Sequence, residues 1–393
     1  MLKKIADLLL SRKGNFYATL VWFGLSFAAA LSEVLRGRIN NYYIYKYVFF
    51  HTIDRQNLYT PYPAQYGDVN HYGPLFSLVI APFALLPDFL GVLVWTLLNC
   101  LLLYYAIQQL PFEPWKKTAI LWLTAIELMT NTHSMEFNGA VTAMLILSFL
   151  FARDKKEMLS TLFIMIGFWI KIYGIVGLLF FFFAKRKLRF VIWSLIWLLV
   201  LGALPMLISS PKFILDTYVD WWQILIVKNS QNIFEPLGYQ NVSAMGVLMY
   251  LVGLSKEYIG VVIAIGMIGC LLPYLRHRQW TSTEFQMISL SSLLLFIVMF
   301  STGSESPTFI LVATGLSIWY VTTKAHFPPW GSAMILIAIL ASSLSTTDFV
   351  PQFIKTEFVR PYRLKAVPAL LCWCVIQYQL LTKRFVVSKE RSL

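Results

Sequence analysis

The chain has 393 residues, of which 58% are hydrophobic and only 13% charged, with a formal net charge of +13 and a mean hydropathy of +0.66. Soluble globular domains carry roughly a quarter of their residues as Asp, Glu, Lys or Arg, so this balance excludes that class and reads as a polytopic membrane protein. The basic excess is scattered in short clusters at helix ends, which excludes a nucleic-acid patch and fits membrane topology instead.

In chain order, a basic N-terminus precedes the apolar segment Phe16–Leu35. No small-residue cleavage site follows it, so it is expected to stay as an anchor. Further apolar windows run Phe89–Gln108, Leu188–Ile208, Ile259–Leu275, Phe285–Phe300 and Leu364–Leu381. They approach the length of about 20 residues that crosses roughly 30 Å of hydrocarbon. Between the first two lies Asn40–Gly73, NNYYIYKYVFFHTIDRQNLYTPYPAQYGDVNHYG, expected as a long tyrosine-rich loop. Its rings can stack on a sugar face or lie along an isoprenoid chain. The next segment, GPLFSLVIAPFALLP (Gly73–Pro87), contains Pro82. It covers only about 22 Å as a helix, so it is expected to be re-entrant or interfacial.

Six basic clusters set the topology: Lys3, Lys4, Arg12 and Lys13; Lys116 and Lys117; Arg153, Lys155 and Lys156; Lys185, Arg186, Lys187 and Arg189; Arg276 and Arg278; and Lys383, Arg384, Lys389 and Arg391. Short basic loops stay cytoplasmic. All six face inward only if Gly73–Pro87 does not span. About twelve spanning helices then follow, with both termini inside, at roughly 15–35, 88–109, 117–131, 138–152, 157–170, 172–184, 188–208, 257–275, 284–301, 306–322, 329–345 and 363–382. The expected class is an all-α polytopic membrane helix bundle with short interfacial helices on the outer face. Cys100, Cys270, Cys372 and Cys374 lie in apolar segments without zinc spacing and read as small core residues.

This sidedness places the polar segments on one face. The outer side receives the Asn40–Gly73 loop, Asn131–Asn138, Lys171, an expected long loop Ser209–Tyr258, Ser301–Thr308 and Asp348–Arg363. Asp54 and Asp68 read equally as plain loop acids. Glu136 and Glu305 stand at helix ends, where an ionisable group is costly unless paired or wet. Lys171 interrupts the apolar run Leu159–Phe183 and marks either a snorkelling hairpin tip or a site cation. His71 and His133 suit hydrogen-bonding wall residues better than bases. Phosphate loops, dinucleotide-binding glycines, nucleophile elbows and zinc-helix motifs do not occur in the sequence. Nor are there matching broken helices, which weighs against a transporter.

Several motifs in fixed order carry a family resemblance: Asn57-Leu58-Tyr59, Tyr72-Gly73-Pro74-Leu75-Phe76, Ala84-Leu85-Leu86-Pro87, Trp95, Glu136-Phe137-Asn138, Ile170-Lys171, Gln240-Asn241-Val242-Ser243 and Ser306-Pro307. Together they resemble glycosyltransferase family 87, polyprenyl-phosphate-sugar-dependent enzymes with a C-type glycosyltransferase fold that include mannosyltransferases. The likeness runs over about 36–322 of a single integral membrane domain, 1–393, leaving 323–393 as C-terminal helices. It implies transfer of a mannose-like hexose from a polyprenyl-phosphate sugar to a lipid or glycan acceptor on the outer face of a bacterial inner membrane. It implies membrane lipids as partners, no nucleic acid, no cofactor and no metal.

One departure matters. The family places an acid near the outer end of the first helix, where this chain is read as Asn40-Asn41, and an amide cannot act as a general base. The base is then expected to be Asp68, or Glu136 in second place. Lys171, His71, Tyr72, Gln240 and Asn241 are expected to hold phosphate or sugar, with Asn41, Tyr45, Asn138, Glu305 and Ser306 lining the same site. The alternatives are a lipid-linked sugar transporter or flippase, and a catalytically inactive envelope assembly protein.

Overall fold

The computed structural model describes residues 9–234, 240–324 and 328–386. Lys3, Lys4, Lys389 and Arg391 of the terminal basic clusters lie outside the described residues. Among the described residues helix is the only regular secondary structure, with no strand. Four stretches are long and apolar enough to cross a membrane: Arg12–Leu35, Asp88–Gln109, Lys187–Leu207 and Lys256–Leu275. The third displays its apolar side chains outward, with Leu188 74% and Leu199 73% exposed. A surface of that kind belongs in lipid, so this is an integral membrane protein.

The other apolar helices are shorter. Asn138–Arg153 has 16 residues and Glu157–Ile170 has 14, about 24 and 21 Å at 1.5 Å per residue. The segment expected to span over 172–184 takes the form of a 3-10 helix, Ile172–Phe182. Lys171 precedes it in extended backbone (φ −146°, ψ 94°), which breaks the helical run. Gly174 lets the two pieces pack closely, because a Cβ there would lie 2.3 Å from the Phe168 backbone nitrogen.

Two segments expected as loops contain long helices. Asn40–Asp54 forms a 15-residue helix that buries Tyr42, Tyr45, Val48, Phe49 and Thr52 on one side and Ile44 and His51 on another. That spacing is the helical three-to-four repeat, hidden in the sequence by the density of tyrosine. Tyr42 donates to the Phe83 carbonyl (2.8 Å) and Lys46 pairs with Asp88 (2.5 Å), tying this helix to its neighbours. Within the expected Ser209–Tyr258 loop, Pro211–Phe234 is a 24-residue helix that starts on proline, the residue best tolerated at a first helical position. The segment after Gly73 is a nine-residue helix, Phe76–Ala84, containing Pro82, about 14 Å long and far short of a span.

The chain divides into two compact units, Val21–Leu110 with Leu128–Asn229, and Met1–Leu20 with Pro111–Glu127 and Ser230–Leu393. The first packs the aromatic rings of Tyr45, Phe76, Trp95 and Phe137 together, with Trp95 stacked on Phe137 at 5.3 Å. In the second, helices Thr283–Met299 and Phe309–Thr323 are buried along nearly their whole lengths. Small residues permit their approach: Ser291 donates to the Gly315 carbonyl, and a Cβ at Gly315 would meet Leu295 at 2.5 Å. Close backbone packing is the main source of helix association where lipid removes the hydrophobic contrast. Cys100, Cys270 and Cys372 are buried as expected, whereas Cys374 is exposed.

Candidate active site

The first unit holds eight of the twelve candidate residues and brings five of them together at three short connections. Tyr72 and His71 come from the turn before Phe76–Ala84, Glu136 and Asn138 from the link after Pro114–His133, and Lys171 from the break before the 3-10 helix. Lys171 Nζ donates to Asn138 Oδ1 at 2.8 Å and to Glu136 Oε2 at 3.1 Å, and lies 3.4 Å from the Tyr72 hydroxyl. It also sits 5.1 Å from the centre of the Tyr72 ring, a cation–π distance. Tyr72 donates its hydroxyl proton to Glu136 Oε2 (2.9 Å). The 3.1 Å contact with Tyr45 is therefore a bond that Tyr45 donates. The result is a continuous chain from Tyr45 through Tyr72 and Glu136 to Lys171 and Asn138.

The backbone that displays these groups is strongly constrained. Met135 has φ +53°, a left-handed conformation uncommon for a long side chain. Its carbonyl accepts from Trp95 Nε1 (2.9 Å), and the neighbouring Ser134 carbonyl accepts from Asn41 Nδ2 (2.8 Å). Asn40 Oδ1 accepts from the Gly67 backbone N–H at 2.7 Å. Asn40 and Asn41 are thus tethers that hold the tyrosine-rich segment and the Asn131–Asn138 link. Strain of this sort persists where surrounding bonds over-determine it, and such places cluster at functional sites.

His71 anchors a second side of the cluster. Its carbonyl accepts from Trp221 Nε1 at 3.0 Å. The next glycine explains the tight fit: a Cβ at Gly73 would lie 2.0 Å from the Trp169 carbonyl and 3.0 Å from the Trp221 ring. Desolvation pushes the His71 imidazole down from 6.5 to about 4, helped by the Lys228 and Lys171 cations and opposed by Asp68 and Glu136. His71 therefore stands among two lysines and two carboxylates. Burial and the Glu136 carboxylate raise the Tyr72 hydroxyl well above its ordinary value, so it remains a proton donor.

Asp68 is exposed, and its Oδ1 accepts from the adjacent Val69 N–H at 2.7 Å. It contributes charge near His71 without joining the bonded chain. The other four candidates belong to the second unit, and their bonds stay within it. The Gln240 carbonyl accepts from Arg363 Nε (3.0 Å), and Asn241 is fully buried at φ +53° with Oδ1 accepting from Ser243 (2.6 Å). Glu305 caps the short helix beginning at Ser306. Ser306 Oγ accepts from Lys365 Nζ (2.7 Å) and lies 3.0 Å from Thr346 Oγ1.

Glu33 and Lys228, both in the first unit, are among the charged residues that escaped the sequence reading. Glu33, in the last turn of Arg12–Leu35, bonds His133 Nδ1 at 3.1 Å with its side chain only 12% exposed. An acid at the end of the first apolar helix was the available signal. Lys228 was visible only as a lysine seven residues after Trp221.

The model of glycosyltransferase family 87 matches residues 70–302, more than half of the chain and a stretch that contains His71, Tyr72, Glu136, Asn138 and Lys171. No curated protein matches the chain. The chain belongs to glycosyltransferase family 87 and is a membrane glycosyltransferase.

Proposed function

We propose that this protein transfers a mannose-like hexose from a polyprenyl-phosphate sugar to a lipid or glycan acceptor on the outer face of a bacterial inner membrane. The observation that carries this is the Lys171 ammonium held by Glu136, Asn138 and Tyr72 in a chain otherwise poor in charge. A lysine so placed is a suitable ligand for a lipid-borne phosphate, and intramembrane or interfacial cations are seldom kept without use. The proposal retains about twelve spanning helices in a C-type arrangement, cytoplasmic termini, and one integral domain with its transferase core within 36–322.

In the reaction, the acceptor hydroxyl attacks the anomeric carbon, the new C–O bond forms, and the bond from that carbon to the phosphate oxygen breaks. Polyprenyl phosphate leaves with the electron pair. Asp68, exposed beside His71, takes the acceptor proton, with Glu136 as the second candidate base. Glu136 also orients Lys171, which with Tyr72 and neutral His71 holds the phosphate. Asn138, Tyr45 and Asn41 shape the sugar pocket. Gln240, Asn241, Glu305 and Ser306 are assigned to substrate binding on the family resemblance.

The test is sugar transfer by purified protein in proteoliposomes containing polyprenyl-phosphate hexoses. Asp68→Asn, Glu136→Gln and Lys171→Ala should each reduce the rate by about 10² or more, the range typical of a lost general base or charge stabiliser. Unchanged rates in all three, with normal expression, would sink the assignment. Absence of transfer from every polyprenyl donor would sink the donor class.

A further inference from the structure

The helix Pro211–Phe234 carries a second cation toward the cluster. Its inward stripe runs Ile214, Tyr218, Trp221, Leu225 and Lys228, steps of three or four residues that keep one face. Ile214 is fully buried and Trp221 6% exposed, while Leu215, Val219, Trp222 and Ile226, on another face, are 54–59% exposed. This inward face is pinned in place. Trp221 Nε1 donates to the His71 carbonyl (3.0 Å), Tyr218 donates to the Gly202 carbonyl (2.8 Å), and Asn57 Nδ2 donates to Asp220 Oδ2 (2.8 Å). Trp169 packs on Tyr218 at 4.7 Å between ring centres, and Gly73 fits beneath Trp221.

Lys228 follows Trp221 by two turns on that face and is half-buried. Among the described residues it has no hydrogen bond or ion pair. The helix's other lysine, Lys212, is exposed and paired with Asp216 at 2.8 Å. Burial lowers the His71 imidazole most, and the Lys228 charge, on the same helix face as Trp221, lowers it further. Lys171 acts on the same imidazole, but its charge is already offset by Glu136. The two lysines thus differ in a way that matters for a phosphate.

Resting on the transferase reading, we propose that Lys228 is the second phosphate ligand of this site and binds the leaving polyprenyl phosphate more strongly than the intact donor. The donor's phosphate is a diester with one negative charge. Once the anomeric C–O bond breaks, it becomes a monoester carrying about −1.5 to −2 at neutral pH. Lys171, paired with Glu136, matches the ground state, and Lys228 supplies the extra positive charge as the second negative charge develops. An interaction that strengthens along the reaction raises kcat rather than lowering KM.

The experiment compares full-length wild type, Lys228→Ala and Lys228→Arg in proteoliposomes, with polyprenyl-phosphate hexose as donor and polyprenyl phosphate as competitive inhibitor. Lys228→Ala should lower kcat on the order of 100-fold with little change in donor KM. It should weaken polyprenyl phosphate inhibition by more than tenfold, and Lys228→Arg should recover most of both. A kcat within about twofold of wild type overturns the proposal, as does an equal loss of donor and product affinity. The two ideas fail separately: if wild type binds polyprenyl phosphate through Lys228 yet moves no sugar, the transferase reading falls and the phosphate site stands.

Discussion

At the scale of single residues, the site is organised by where protons can reside. The Tyr72 hydroxyl serves Glu136, Glu136 serves Lys171, and His71 is kept neutral among Lys228, Lys171, Asp68 and Glu136. The depressed His71 has a measurable consequence. Its value falls from 6.5 in the unfolded chain to about 4 in the folded one. Between those limits the unfolded state binds more protons, so folding stability rises with pH. Stability from this group is full above pH 6.5, declines as pH falls toward 4, and then levels. A thermal unfolding series from pH 7 to 4 should show wild type losing more stability than His71→Gln over that window. Parallel curves would show that His71 does not titrate this way. His71, Tyr72, Glu136 and Lys171 stand out in the sequence because they are polar residues against an apolar background, and the structure brings Tyr72, Glu136 and Lys171 into one bonded cluster. Sequence reasoning missed Lys228 and Glu33 because their meaning lies in register with a partner, Trp221 in one case and His133 in the other, which a linear string does not display.

At the scale of elements, a fully buried ion pair links parts of the second unit. Lys365 Nζ lies 2.9 Å from Glu127 Oε1, with side chains 1% and 0% exposed, and also donates to Ser306. Glu127 sits within Pro114–His133 and Lys365 immediately before Ala366–Thr382, so the pair joins two helices distant in sequence. Desolvating both charges is expensive, and removing one partner leaves the other uncompensated at a cost of about 3–5 kcal/mol. Glu127→Gln or Lys365→Met alone should therefore lower the Tm in detergent by several degrees, whereas the double variant should recover much of the loss. Additive losses in the double variant would mean that the pair is not coupled. Glu127 passed unnoticed because the apolar run around it reads as an ordinary span. The helices Asn40–Asp54 and Pro211–Phe234 were hidden for a related reason, since aromatic and polar residues mask the helical repeat that burial later selects.

At the scale of the whole molecule, composition sufficed for an all-helical membrane protein, and the order of short motifs sufficed for the family. Span number was harder to read, because pieces such as Glu157–Ile170 and Ile172–Phe182 are individually too short to cross, and hydropathy cannot tell a tilted span from a re-entrant segment. Charge placement does make a prediction: loops rich in Lys and Arg stay inside, so the segment carrying Asp68 faces out and the one carrying Arg278 faces in. The native thiols allow a clean test, since Cys100, Cys270 and Cys372 are buried and only Cys374 needs replacing by serine. In that background, Ala64→Cys and Arg278→Cys place single thiols at exposed positions. A membrane-impermeant maleimide added to intact spheroplasts should label Ala64→Cys at once and Arg278→Cys only after permeabilisation. The opposite pattern would move the Lys171 cluster to the cytoplasmic side, where soluble nucleotide sugars compete as donors, and would remove the reason for a lipid-borne phosphate at Lys171 and Lys228.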